Sequence, residues 1–225
     1  MLIIYADDTG LPAQLQQQIL SESGVIVVDL FDALVGTPTM PQLLQYNIVV
    51  PFGYTEFADT DTLGNNLSVY ADAGGIVVQY GLSYYNSEKH SINGRWLSDN
   101  YSPYNYSLGR VLFTPFALGN FSATHPLMAD VTTLVSDFQN VVTPAGGATQ
   151  VAAASNGNSL VAFRPVSGGH TTVGVTAYVG AQASQTGDWG KLVVNAGRWL
   201  LSCTTRSTPT PHPRPTPLPR PTPWR

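Results

Sequence analysis

DTLGNNLSVYADAGGIVVQYG, residues 61–81, is the stretch that decides the architecture. Leu63, Leu67 and Tyr70 recur at helical spacing, so Asp61–Ala73 reads as a helix with one apolar face. Gly74-Gly75 stops it. Ile76–Tyr80 follows at once as an apolar, β-branched run without alternation, the mark of a strand covered on both sides. A helix that feeds directly into a buried strand is half of a βαβ unit.

The same alternation extends toward the N-terminus. Leu2–Ala6 is a short apolar run ended by Asp7-Asp8-Thr9-Gly10, and Leu11–Ser21 has helical spacing, stopped by Gly24. Val25–Val28 reads as a second strand ended by Asp29. Met40–Gln45 reads as a short helix, and Asn47–Val50 as a third strand running into Pro51-Phe52-Gly53-Tyr54. Units of this kind predict a parallel sheet with helices on both faces, a three-layer α/β sandwich. After Gly81 the pattern changes. Residues 82–109 are rich in Tyr, Asn, Ser and Gly and read as a long loop, with Val111–Leu118 as a further strand. Val151–Ala154, Leu160–Pro165 and Thr171–Tyr178, joined by Asn-Gly and Gly-Gly turns, predict a small antiparallel addition. Trp189–Ser202 predicts a last helix with Leu192, Ala196, Trp199 and Leu200 inward.

Composition narrows the classes. Of 225 residues, 43% are hydrophobic and only 11% charged, which excludes a highly charged disordered chain and a coiled coil. No apolar run approaches the ~20 residues of a membrane span, so no membrane insertion is expected. Residues 1–203 carry 6 basic and 14 acidic side chains, and residues 1–88 no Lys or Arg at all. Nucleic-acid binding needs clustered cations on the phosphates and is not expected. The single cysteine, Cys203, rules out an internal disulfide and a multi-cysteine zinc site.

Residues 208–223 place proline at every second position, which reads as an extended stalk or linker over 204–225 beside a folded domain over 1–203. The N-terminus has neither a basic region nor a long apolar core of a signal peptide. A domain that begins on its first strand and ends in a stalk reads as a piece of a larger exported or cell-surface polypeptide. The scarcity of Lys and the abundance of Asn, Ser, Thr, Gly and Tyr agree with that. Asn66, Asn100, Asn105 and Asn120 stand in Asn-x-Ser sequons.

Most catalytic motifs fail. The turn after the first strand lacks the glycines of a dinucleotide site, and Asp7 and Asp8 would repel phosphates, so no cofactor is expected. A phospho-receiver also needs an acceptor Asp after the third strand and a later Lys. The third strand ends in Pro51-Phe52-Gly53, and no Lys precedes Lys89. His90, His125, His170 and His212 have no metal-site spacing, so no metal site is expected; His125-Pro126 reads as a capping turn. Ser83 follows the fourth strand where a nucleophile elbow would lie, but Tyr85 occupies the expected glycine position. Ser83 with His90 or His170 is the one catalytic arrangement left.

Several short motifs, in this order, resemble the class I glutamine amidotransferase-like superfamily. They are Leu2–Asp8, Tyr46–Gly53, Tyr70–Gly81, His125-Pro126-Leu127-Met128 with Val131, Gly168–Val175, and Leu192–Leu200. The trehalose-utilisation-like, non-amidotransferase branches look most similar. The resemblance implies a flavodoxin-like fold with a mostly parallel central sheet. It also implies a cysteine nucleophile after the fourth strand and a later His-x-Glu pair in catalytic members. This chain has Gly81 or Ser83 there and no His-x-Glu, so amidotransferase activity is not expected.

The leading reading is therefore a non-catalytic binding module for a glycan or a protein partner. Ligands of open α/β sheets sit beyond the carboxyl ends of the strands. Asp7, Asp8, Asp29, Tyr54, Tyr80 and Gly81 stand there, and the following loop supplies Tyr84, Tyr85, Trp96, Tyr101, Tyr104 and Tyr106. Tyr and Trp offer flat apolar faces with polar tips. The same loop can instead pack on its own domain. A serine hydrolase at Ser83 is the alternative, and a self-assembling surface protein a third.

Overall fold

A computed structural model describes residues 1–85, 87, 89–106 and 111–203. The proposed stalk 204–225, and the side chain of Cys203 with its state, lie outside the described residues.

The chain alternates as the sequence implies through its first half: β1 (Leu2–Ala6), α1 (Ala13–Leu20), β2 (Asp29–Asp32), α2 (Met40–Leu43), β3 (Ile48–Gly53), α3 (Thr60–Asp72) and β4 (Ile76–Gln79). A short helix, α4 (Gly94–Ser98), interrupts the stretch read as loop. Then come β5 (Val111–Leu112), β6 (Phe116–Phe121), β7 (Leu134–Ser136), β8 (Gln139–Asn140), β9 (Thr149–Ala154), β10 (Ser159–Pro165), β11 (Thr171–Val175), β12 (Thr186–Gly187) and α5 (Trp189–Cys203).

Ten of the strands form one mixed sheet in the order β12-β7-β6-β9-β10-β11-β4-β3-β1-β2. The run β2-β1-β3-β4-β11 is parallel, and every pairing from β11 through β10, β9, β6 and β7 to β12 is antiparallel. The fold is α/β, but the expectation of a mostly parallel sheet with a small antiparallel addition is corrected. The antiparallel half holds as many strands as the parallel half. The sequence showed the β9–β11 meander because tight turns join it. Strands β6 and β7 pair with partners that no short turn announces.

Both faces of the parallel half are covered. Ile3, Tyr5, Val50, Phe52, Val78 and Tyr80 pack with Leu15 and Ile19 of α1 and with Trp189, Leu192 and Val193 of α5. Leu2, Ile4, Val49 and Val77, the alternate positions, pack with Leu63, Leu67 and Tyr70 of α3 and with Trp96. Period-two alternation in strands buried on both sides gives the continuous apolar runs seen in the sequence. Each such side chain taken from water contributes about 1.5–3 kcal/mol. Helix α3 begins at Asp59, whose carboxylate accepts from the Thr62 N–H at 2.8 Å. Its Gly64 is required, because a Cβ there would stand 1.8 Å from the Asn93 carbonyl oxygen.

Two further expectations are corrected. The second strand is Asp29–Asp32, not Val25–Val28: β1 pairs Leu2 with Asp29 and Tyr5 with Asp32. Ile26 is left 95% exposed. β-branched residues fit a pleated surface, but where α1 returns the chain determines which residues meet β1. Val111–Leu118 is not one strand. Phe113-Thr114-Pro115 breaks it into β5, which pairs with β8, and β6 in the main sheet.

Candidate functional site

The carboxyl ends of β3 and β4 lie side by side in the sheet, and the turn after β4 shapes what stands above them. Gly81 donates its N–H to the Ala177 carbonyl at 2.8 Å. A Cβ at this position would fall 2.3 Å from the Thr176 oxygen, so the sequence needs glycine there for close backbone approach. The next residue, Leu82, has φ +63°. A non-glycine residue in this left-handed region costs on the order of 1–2 kcal/mol and marks a turn that its surroundings hold in place. Here the buried Asn140 side chain accepts the Leu82 N–H at 2.5 Å.

A strained turn directly after a central strand is the geometry of a nucleophile elbow. At its tip stands Leu82, which carries no nucleophile. Ser83, the expected candidate, is 0% exposed. Its Oγ donates to the Tyr80 carbonyl at 2.5 Å and accepts from Gln79 Nε2 at 3.1 Å. Among the described residues no hydrogen bond joins it to a histidine. His90 lies near Tyr85, ring centroids 6.1 Å apart. His170 lies beside Gly74, Gly75 and Ile76, at the opposite end of β4. Among the described residues the triad that Ser83 would need is not assembled.

Most of the expected ligand-contacting aromatics are inside the protein, which corrects their assignment to a binding face. Tyr80, Tyr84 and Trp96 are 0% exposed and Tyr104 is 1% exposed. Each polar tip has an internal partner. Tyr80 donates to the Trp189 carbonyl (3.3 Å), Tyr84 to the Gln79 carbonyl (2.7 Å) and Trp96 Nε1 to Gln79 Oε1 (2.8 Å), while Tyr104 shares a hydrogen bond with Ser159 (3.1 Å). Burial pushes all three of these tyrosines well above their ordinary pKa. Gln79 is the hub: its amide also donates to Tyr106 at 3.1 Å.

Asp7 is likewise committed. It is buried and accepts from the Thr9 N–H (3.0 Å), the Thr9 hydroxyl (2.6 Å), the Ala181 N–H (3.3 Å) and the Tyr178 hydroxyl. It therefore ties β1 to the segment after β11. Asp8 is exposed. Among the described residues no group of three or more His, Cys, Asp or Glu is placed to hold a metal ion.

What remains open above the strand ends is a cleft of about 350 Å³ lined by Tyr54, Leu82, Tyr85, His90, Val111 and Phe113. Phe113 and Tyr54 are the two ends of an aromatic chain that runs through Phe138 and Tyr178. Phe113 meets Phe138 edge-on (5.1 Å), Phe138 meets Tyr178 (5.4 Å), and Tyr178 meets Tyr54 (5.3 Å). Phe113 is 65% exposed. Of the expected rings, Tyr54, Tyr85 and His90 line this cleft. Leu82, Val111 and Phe113 were missed. The available signals were the residue between Gly81 and Ser83 and an aromatic placed before a strand-breaking proline.

No protein-family model and no curated protein sequence matches the chain. Solved structures do. A cytoplasmic protein from Salmonella typhimurium is similar over 88% of this chain and 97% of its own, with TM-score 0.61 and 15% identity. A ThuA-like protein from Bacteroides uniformis is similar over 91% of both chains, with TM-score 0.59 and 14% identity. A β-galactosidase from Rahnella is similar over 89% of this chain but only 31% of its own, with TM-score 0.55 and 14% identity. At such identities the likeness is one of fold.

Proposed function

We propose that this chain is a non-catalytic binding module of the glutamine amidotransferase-like superfamily, with a flavodoxin-like three-layer arrangement. Its ligand seat is the cleft between Tyr54 and Phe113. The observation that carries the reading is Leu82: the strained turn after β4 keeps its form while its tip is an alkyl chain. Leu82 cannot attack a carbonyl, but it lines the cleft with Tyr54 and Phe113. An exposed aromatic face with hydroxyl and imidazole groups at its rim suits the flat side of a glycan ring or an apolar side chain of a protein partner. The ThuA-like neighbour supports the superfamily. The Rahnella enzyme supports a modular role, since there the matched fold is a third of a longer chain. The Thr/Pro sequence over 208–223 and the scarcity of Lys support a place on an exported or surface polypeptide. Among the described residues no helix is long and apolar enough to cross a membrane.

The serine-hydrolase alternative loses its support in the burial and double hydrogen bonding of Ser83. The test has two arms. A broad serine-hydrolase probe, read by intact mass, is expected to leave the folded protein unlabelled; labelling that disappears in Ser83→Ala overturns the non-catalytic reading. Retention on glycan and peptide arrays is expected to fall at least about tenfold in Phe113→Ala, a loss in the range of a hot-spot aromatic. Unchanged retention removes the cleft as the seat.

A further inference from the structure

Five side chains carry a fixed positive charge among the described residues: Lys89, Arg95, Arg164, Lys191 and Arg198. Four of them face carboxylates. Lys89 meets Glu56 at 3.1 Å, Arg95 meets Asp99 at 2.9 Å and Asp72 at 3.3 Å, Lys191 meets Asp188 at 3.3 Å, and Arg198 meets Glu22 at 4.0 Å. Among the described residues Arg164 has no carboxylate partner, although acids outnumber bases more than two to one over residues 1–203. It stands on β10, and among the described residues its side chain makes one hydrogen bond, from Nη1 to the Ser102 carbonyl at 3.0 Å. Asp99, nearby in sequence to that loop, is already engaged by Arg95.

A guanidinium has five N–H donors in a planar fork. One bond to a carbonyl leaves most of that fork unused. The side chain is half-buried, and burial lowers its pKa. It opens into a cavity of about 300 Å³ whose other walls include Asn100, Ser102, Asn105, Leu97 and Ala145. Asn100 and Asn105 bring carboxamides to the walls, which suit a hydroxylated body, while the Ser102 hydroxyl is engaged with the Tyr104 backbone. The cavity shares no lining residue with the Tyr54–Phe113 cleft.

We infer that this cavity is a second ligand site, taking a compact oxyanion, a carboxylate, sulfate or phosphate group on a small hydroxylated carrier, which Arg164 grips through its free donors. Arg164 supplies the charge and the planar geometry that a carboxylate or phosphate meets with two parallel hydrogen bonds. Asn100 and Asn105 line the same cavity, where the carrier would lie.

The test is titration of the full chain, by calorimetry or amide chemical shifts, with D-glucuronate, sodium sulfate and inorganic phosphate at constant ionic strength. Sodium chloride and D-glucose serve as references. Saturable binding of at least one oxyanion, absent with chloride and glucose, is expected. Tighter glucuronate binding identifies a carboxylated sugar as the source; tighter sulfate or phosphate binding identifies an ester or free anion. Arg164→Met is expected to weaken that binding by at least about tenfold, and Arg164→Lys to weaken it while retaining part, because a point charge replaces a fork. Should Arg164→Met fail to fold, the Arg164→Lys comparison alone decides. No saturable oxyanion binding by the unaltered chain overturns the inference. So does equal affinity in a folded Arg164 variant.

Discussion

Two aromatic groups stand on either side of the turn after β4, and they do opposite things. On one side Tyr84, Trp96, Tyr101 and Tyr104 are buried, ring against ring: Trp96 stacks on Tyr101 at 5.6 Å, and Tyr84 meets Tyr104 edge-on at 5.2 Å. Their hydroxyl and indole groups are spent on Gln79, Ser159 and Asp72. On the other side Phe113 and Tyr54 cover a cleft, and Phe113 keeps most of its surface in water. A tyrosine-rich segment is thus no guide to a binding face. A buried Tyr or Trp needs a partner for its polar tip, and where the interior supplies one the ring becomes core. Phe113 has no polar tip to satisfy, yet it is the ring left outside.

The contrast breaks most readily at Trp96. Trp96→Ala is expected to cost about 3–5 kcal/mol, the range for a buried large aromatic. Phe113→Ala should stay within about 0.5 kcal/mol, as for an exposed side chain. Urea denaturation of both variants checks this; equal losses would dissolve the distinction between core and cleft. A finer test is Tyr104→Phe. The ring stays, but Ser159 loses its buried partner, so a loss of about 1–2 kcal/mol is expected by the same measurement.

The smallest effect lies outside both groups, at His125. Its ring stacks on Phe163 (5.1 Å) and meets Trp199 edge-on (4.8 Å), and its Nδ1 accepts the Leu127 N–H at 3.2 Å. Burial lowers its pKa from 6.5. The folded state therefore prefers the neutral ring. Its contribution is complete above the unfolded pKa and is lost as pH falls from about 6.5 toward the folded value. Unfolding free energies at pH 7.5 and 5.0 should differ by less in His125→Asn, which keeps a neutral capping side chain. An unchanged difference would assign the pH dependence to other groups.

Some of this molecule was legible along the chain. Helix α3, β4 and their glycine stop lie in one continuous stretch, and their pattern is local. So is His125-Pro126, where the histidine caps the 3₁₀ turn that follows. The Val25–Val28 run misled because a strand is defined by its partner. The cleft was half visible: Tyr54 is at a strand end, but Phe113 arrives from a segment that β5 holds against β8. Nothing near residue 113 announces that pairing.

Sequence alone therefore determined the alternation of helices and covered strands, the acidic balance, and the lack of a cysteine or His-x-Glu at the expected places. These follow from residue type and short-range spacing. Only the tertiary structure decided that half of the sheet is antiparallel, that Ser83 is sealed while Leu82 takes the strained tip, and which aromatic rings see water. Those outcomes depend on contacts between residues far apart in the chain, such as Gly81 with Ala177, Trp96 with Gln79 and Leu82 with Asn140. Burial and hydrogen-bond satisfaction belong to such pairs, and no single position carries them.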